Sequence, residues 1–224
     1  MLIAVVNQKG GAGKTTLAVH LAVYLFDQGL RVAFVDNDPQ ASATKWLSSV
    51  EPGIPLHSTQ DSRELVELLQ TLNDSHDVVI ADAAPRLNDQ THVLMYFAQR
   101  VLIPVKPSVL DLQATVETKS AVDRVASART ADHAEPIAVR LILNMVRSVG
   151  QQDKIMSQAM ESLNLPLARQ TVGLRDAYIK AVHRDTTVTR MKGDAGAVAA
   201  ARELVQLFTE VIPHELYRNQ PVAA

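Results

Sequence analysis

The chain of 224 residues contains no cysteine. That absence excludes disulfides, thiolate zinc centres and cysteine-ligated iron–sulfur clusters, and it agrees with a reducing cytoplasm. An excess of one charge is also lacking. Lysine and arginine number 22 against 24 acidic residues, so any nucleic-acid contact must come from a local patch and not from the overall field. No run approaches transmembrane length, and the opening "LIAVV" lacks the basic region and cleavage site of a signal peptide, so a cytoplasmic protein is expected. Internal repeats, low-complexity tracts and long polar linkers are missing too. With an apolar fraction of 47%, the chain is expected to fold as one domain over residues 1 to 212, followed by a tail from 213 to 224.

What is present is a regular alternation. Short apolar runs at 2 to 6, 31 to 36, 77 to 82, 100 to 105 and 137 to 144 suit buried strands. After the first of them, Leu17, Leu21 and Leu25 follow helical spacing, and Gly29 stands where a glycine commonly ends a helix. Further helices are expected at 63 to 72, 89 to 98, 112 to 129, 151 to 163 and 196 to 211. Strand, helix, strand repeated in this way predicts an α/β fold, one domain with a mostly parallel sheet covered by helices on both faces. Ligands of such sheets bind at the carboxyl ends of the strands, where the glycine-rich loop, "VDNDP", "IADAAP" and "IPVKPS" all fall.

The loop lies in "VVNQKGGAGKTTLAVHLAVYL", Val5 to Leu25. Gly10, Gly11 and Gly13 let backbone amides approach phosphate oxygens, Lys14 supplies a cation for the terminal phosphates, and Thr15 supplies a hydroxyl for Mg²⁺. The helix starting there turns its positive end to the same anion, so a single P-loop NTPase domain is expected. Gln8, however, occupies the first glycine position of the strict pattern, and a second lysine, Lys9, follows it.

KGGAGKT, Lys9 to Thr15, resembles the deviant Walker A box of the ParA/MinD family of ATPases. "VDNDPQASATKWL" resembles the family's second box, "VVIADAAP" its Walker B strand and "IPVKPSVLDL" the strand and loop after that. The order over nearly the whole chain is that of small ParA proteins without an added N-terminal DNA-binding domain. The resemblance implies ATP and Mg²⁺ as ligands and a homodimer that sandwiches two nucleotides, with Lys9 reaching the partner subunit's phosphates. It assigns catalysis to Lys9, Lys14 and Asp38, with Asp38 positioning the attacking water. Nucleotide binding falls to Lys9, Gly10, Gly11, Ala12, Gly13, Lys14, Thr15 and Thr16, with Asp36 near the phosphates. Mg²⁺ falls to Thr15 and Asp82. Asn144, ending "LILN", is either an adenine contact, as an equivalent asparagine is in several relatives, or a strand-end turn residue. Asp38 before Pro39 equally suits a turn. Lys106 and Asp111 lie near the nucleotide but stay outside the expected site, since Asp111 also suits the cap of a helix starting at Leu112.

Residues 173 to 204 are the most basic stretch, with Arg175, Lys180, Arg184, Arg190 and Lys192 and few acids until the last helix. In ParA proteins such residues bind double-stranded DNA nonspecifically once ATP has joined the subunits, so nucleoid association is implied. Two patches side by side make binding steeply dependent on dimerisation. No aromatic platform or helix-turn-helix signal accompanies them. The resemblance also implies a ParB-like or small adaptor protein whose basic disordered arm stimulates hydrolysis. Two other readings are a MinD-like membrane switch and an ATP-dependent synthetase on the same scaffold. Against the first, the C-terminal "ARELVQLFTEVIPHELYRNQPVAA" is acidic around its apolar residues and broken by Pro213, so no membrane contact is expected.

Overall fold

The computed structural model describes residues 1–147 and 164–217; the helix expected at 151 to 163 lies outside them. Seven strands form one sheet: β1 (Leu2–Val5), β2 (Val32–Asp36), β3 (Leu56–His57), β4 (Val78–Asp82), β5 (Arg100–Val105), β6 (Ala138–Val146) and β7 (Val172–Gly173). Their order is β3-β2-β4-β1-β5-β6-β7, and every pairing is parallel. The helices of the described residues are α1 (Lys14–Asp27), α2 (Ser42–Val50), α3 (Ser62–Ser75), α4 (Asp89–Phe97), α5 (Val109–Ala131), α6 (Asp176–His183) and α7 (Ala195–Val211).

A strand's side chains alternate between faces, and here both faces are apolar, as a sheet covered on two sides requires. Ile3 and Val5 of β1 point into one core with α1, α2, α6 and α7, whereas Leu2 and Ala4 point into the other, with α3, α4 and α5. The first core swallows α1 almost whole: Leu17, Ala18, Val19, Leu21, Ala22, Val23 and Leu25 are all buried, so this helix shows no polar face. The same core takes Leu204, Leu207, Phe208 and Val211 from α7, so the apolar stripe of that helix is spent inside the domain. Among the described residues no helix is long and apolar enough to cross a membrane.

Five elements escaped the sequence pattern or were bounded wrongly, and helix α6, eight residues within the basic stretch, is one of them. Strands β3 and β7 are two residues long, too short for periodicity to register. Helix α2 follows the "DNDPQ" turn without an apolar run long enough to announce it. Helix α5 begins at Val109 and not Leu112, because the Ser108 hydroxyl accepts from the Asp111 amide at 3.2 Å and starts the helix earlier. Asp111 therefore lies inside the first turn. With β1 central and its neighbours β4 and β5 leading to opposite halves, the carboxyl edge opens a crevice at β1.

Candidate functional site

The loop between β1 and α1 is held from three sides. Asn7, just beyond β1, donates from Nδ2 to the Pro104 carbonyl on β5 at 2.7 Å, and its Oδ1 accepts from the Lys9 amide at 2.9 Å. Lys14 donates from Nζ back to the Lys9 carbonyl at 3.3 Å. Asn144, at the carboxyl end of β6, donates from Nδ2 to the Ala12 carbonyl at 2.7 Å. Gly11 and Gly13 take φ of 69° and 91°, the left-handed region that glycine alone enters freely. At the start of α1 no side chain caps the helix, so the amides of its first turn face outward as an anion site.

Carboxylates from neighbouring strands gather under this loop. Asp82 ends β4 in register with Val5 and with Asp36 of β2. It accepts from the Thr15 hydroxyl at 2.6 Å, while its other oxygen is buried with no hydrogen-bond partner among the described residues. Burial pushes its pKa up to about 7, the Thr15 hydrogen bond pulls it down, and Asp36 pushes it further up. A desolvated carboxylate beside a threonine hydroxyl is a donor set suited to a hard cation. The described residues offer no cluster of three or more acidic or histidine side chains that could cage a metal, so Thr15 and Asp82 fit Mg²⁺ only together with phosphate and water oxygens. Lys14 is buried, and desolvation lowers its pKa while Asp82 and Asp38 oppose that shift.

Asp36 is buried and already engaged: Oδ2 accepts from the Thr44 amide and hydroxyl, both at 2.8 Å, and Oδ1 from the Asp38 amide at 3.2 Å. It anchors the turn and α2 from beneath. Asp38 is half-buried, its Oδ1 accepting from the Gln40 amide at 3.0 Å. Lys9 is half-buried at the outer side of the loop, beside exposed Gly10 and Gly11.

Beside Gly13 and Thr16 a largely apolar cavity of about 410 Å³ opens, walled by Asn144, Met145, Leu174 and Tyr178. Its size suits a nucleoside. Asn144 lines it, yet its amide is committed to the loop and its Oδ1 accepts from the Met145 amide at 2.9 Å. Tyr178 and Leu174 were not candidates from sequence, because they lie some 160 residues beyond the loop and carry no motif.

The five basic residues expected to touch DNA do not form one free patch. Arg175 forms a bidentate pair with Glu203, Lys180 pairs with Asp194 at 3.0 Å, and Arg190 pairs with Asp27 and Glu51 at 2.5 and 2.7 Å. Arg184 and Lys192 are exposed and have no ion pair among the described residues.

Comparison with known proteins agrees with this geometry. The CbiA family model, described as the CobQ/CobB/MinD/ParA nucleotide binding domain, matches residues 3–188. The chain is 32% identical over 216 residues to "Maintenance of carboxysome distribution protein A" of Halothiobacillus neapolitanus, covering 94% of this chain and 96% of the relative. It is 27% identical over 223 residues to "Protein ParA" of Rhizobium radiobacter, covering 94% and 95%. A solved structure of a Cyanothece McdA–ATP complex matches with a TM-score of 0.75 at 16% identity, covering 100% of this chain and 98% of that one, a likeness of fold. With the two-lysine loop, the parallel sheet and these relatives together, the chain belongs to the ParA/MinD family of nucleotide-binding proteins.

Proposed function

We propose that this protein is a Mg²⁺-dependent ATPase of the ParA type, whose ATP-bound homodimer holds DNA nonspecifically and positions a cargo until a partner triggers hydrolysis. The observation that carries the reading is the convergence of Lys14, the Thr15–Asp82 pair and Asp38 under one loop, with Lys9 at its outer side. Lys14 binds the terminal phosphates and Thr15 with Asp82 holds Mg²⁺, which neutralises phosphate charge when bound. Asp38, kept in place by its turn on Asp36, orients the attacking water. Lys9 reaches the partner subunit's phosphates, so the charge of a triphosphate favours association. A protein assembly is the first cargo to test, since the Halothiobacillus relative is named for carboxysome distribution.

DNA contact is carried in this reading by Arg184 and Lys192, doubled in the dimer. Arg175, Lys180 and Arg190 contribute where their acidic partners release them. Among the described residues no arginine hydrogen-bonds the loop or Asp82, which supports stimulation by an added cation from a ParB-like or adaptor arm. The test is sedimentation and DNA retention of the D38A variant with ATP. An ATP-dependent dimer on DNA of unrelated sequences is expected, associated with the nucleoid in cells. A monomer that hydrolyses ATP at wild-type rate would remove both the dimer and the assignment of Asp38.

A further inference from the structure

A third lysine stands at the loop. Lys106 directly follows β5, and the end of that strand is tied to the loop through the 2.7 Å bond from Asn7 to the Pro104 carbonyl. Its ammonium lies 3.5 Å from the point that a Cβ on Gly11 would occupy. Gly11 is the glycine whose φ of 69° turns the loop in its middle. Lys106 is half-buried, and among the described residues no acidic side chain pairs with it.

A lysine brought against the middle of a glycine loop, with no acid paired to it, is placed to meet an anion bound there. Lys14 has Asp82 and Asp38 close enough to raise its pKa against desolvation. Lys106 instead faces the backbone of a glycine loop, whose outward amides bind the same class of anion. Its backbone directly follows a central strand and is not part of the glycine loop, so the sheet, and not the loop's own turn, brings Lys106 to that side of the loop.

We propose that Lys106 is a third phosphate-contacting cation of this site, acting within its own subunit. Lys14 then meets the polyphosphate from the helix side and Lys106 from the β5 side, while Lys9 is left to cross the dimer. The inference rests on the nucleotide-binding reading of the loop and adds a residue to it.

The experiment measures binding of fluorescent ADP and of a non-hydrolysable ATP analogue, with Mg²⁺, to the full chain as wild type, K106A, K106R and K14A. Both dilute, monomeric protein and concentrated protein are used. K106A is expected to bind both nucleotides about tenfold more weakly, the size of one charge-assisted contact, at either protein concentration. K106R is expected within about threefold of wild type, because a cation remains. The ligand-free melting temperature should not fall; if K106A lowers it, K106M keeps the apolar stem and carries the comparison. Binding by K106A within about twofold of wild type would overturn the proposal, as would a loss confined to concentrated protein, which would make Lys106 a contact across the dimer. Wild type that binds neither nucleotide, like K14A, would overturn the underlying site reading, a result distinct from failure of the Lys106 assignment alone.

Discussion

The side-chain amide of Asn144 donates to the carbonyl of Ala12 at 2.7 Å, joining the end of β6 to the glycine loop across 132 positions of sequence. The same amide leaves no room beside Gly13: a Cβ there would lie 2.2 Å from Asn144 Nδ2, on a backbone already at φ 91°. Loop shape and Asn144 are therefore one unit. G13A should lower stability by about 1–3 kcal/mol and abolish measurable ATP binding. N144A should cost about 1–2 kcal/mol by leaving a buried carbonyl unpaired. In a double-mutant cycle read by denaturant melts, the two should be less than additive, since removing the amide relieves the clash. Strict additivity would dissolve the unit.

Asp82 sets function against stability. Its folded pKa of about 7 lies above the ordinary carboxylate value, so ionisation destabilises the ligand-free protein. That penalty is absent at acid pH, grows as pH rises through the ordinary carboxylate range, and is complete above about 7. An asparagine still accepts from the Thr15 hydroxyl. D82N should thus raise ligand-free stability at pH 8 by about 1–2 kcal/mol while Mg²⁺ ceases to strengthen nucleotide binding. A less stable D82N protein with intact Mg²⁺ dependence would contradict the metal assignment.

Arg190 and Arg184 should respond differently to truncation. Arg190 joins Asp27, the last residue of α1, to Glu51 after α2 and also donates to the Val50 carbonyl at 3.0 Å, so R190A should cost about 1–2 kcal/mol of stability. Exposed Arg184 and Lys192 should change thermal stability little when replaced together by alanine, yet reduce retention on DNA and flatten its salt dependence. Melting curves alongside filter binding separate the two roles. Unchanged DNA retention in the Arg184 and Lys192 double variant would count against this patch.

His20 gives the protein an acid limit. The fully buried ring donates from Nδ1 to the Thr16 carbonyl at 2.7 Å and accepts at Nε2 from the Val188 amide at 3.1 Å, which fixes the neutral tautomer. Burial lowers its pKa to about 4 from the usual 6.5. Its stabilising contribution is therefore complete above 6.5 and is lost as pH falls toward 4, on the order of 3 kcal/mol in all. Trp46, the single tryptophan, stacks edge-on to His20 with centroids 5.2 Å apart, so its fluorescence reports the melt. The H20Q variant should be less stable at pH 7.5 but lose less on acidification. Parallel pH profiles for the two proteins would show that His20 is not the titrating group.

Much of the site was legible in the sequence because its parts are local. A glycine loop, its two lysines and the threonine occupy Lys9 to Thr15, and the strands carrying Asp36 and Asp82 are apolar runs ending in an acid. Local backbone geometry and burial dictate such segments, and the parallel sheet follows from their alternation with helices. Helices α2 and α6 and the two-residue strands were not legible, since they rest on side-chain anchors such as Asp36 to Thr44, on core packing of Ala177 and Ala181, and on pairing with longer neighbours.

What the sequence alone determined was the order of the five longer strands, the anion-binding loop and the acids at the strand ends, each a pattern of adjacent residues. The tertiary structure decided which charges remain free. Glu203, Asp194, Asp27 and Glu51 come from distant positions to pair three of the basic residues, and Lys106 is brought beside Gly11. A charge count along the chain carries no information about pairing in space, because a salt bridge depends on a separation of a few ångströms that only the packed elements set.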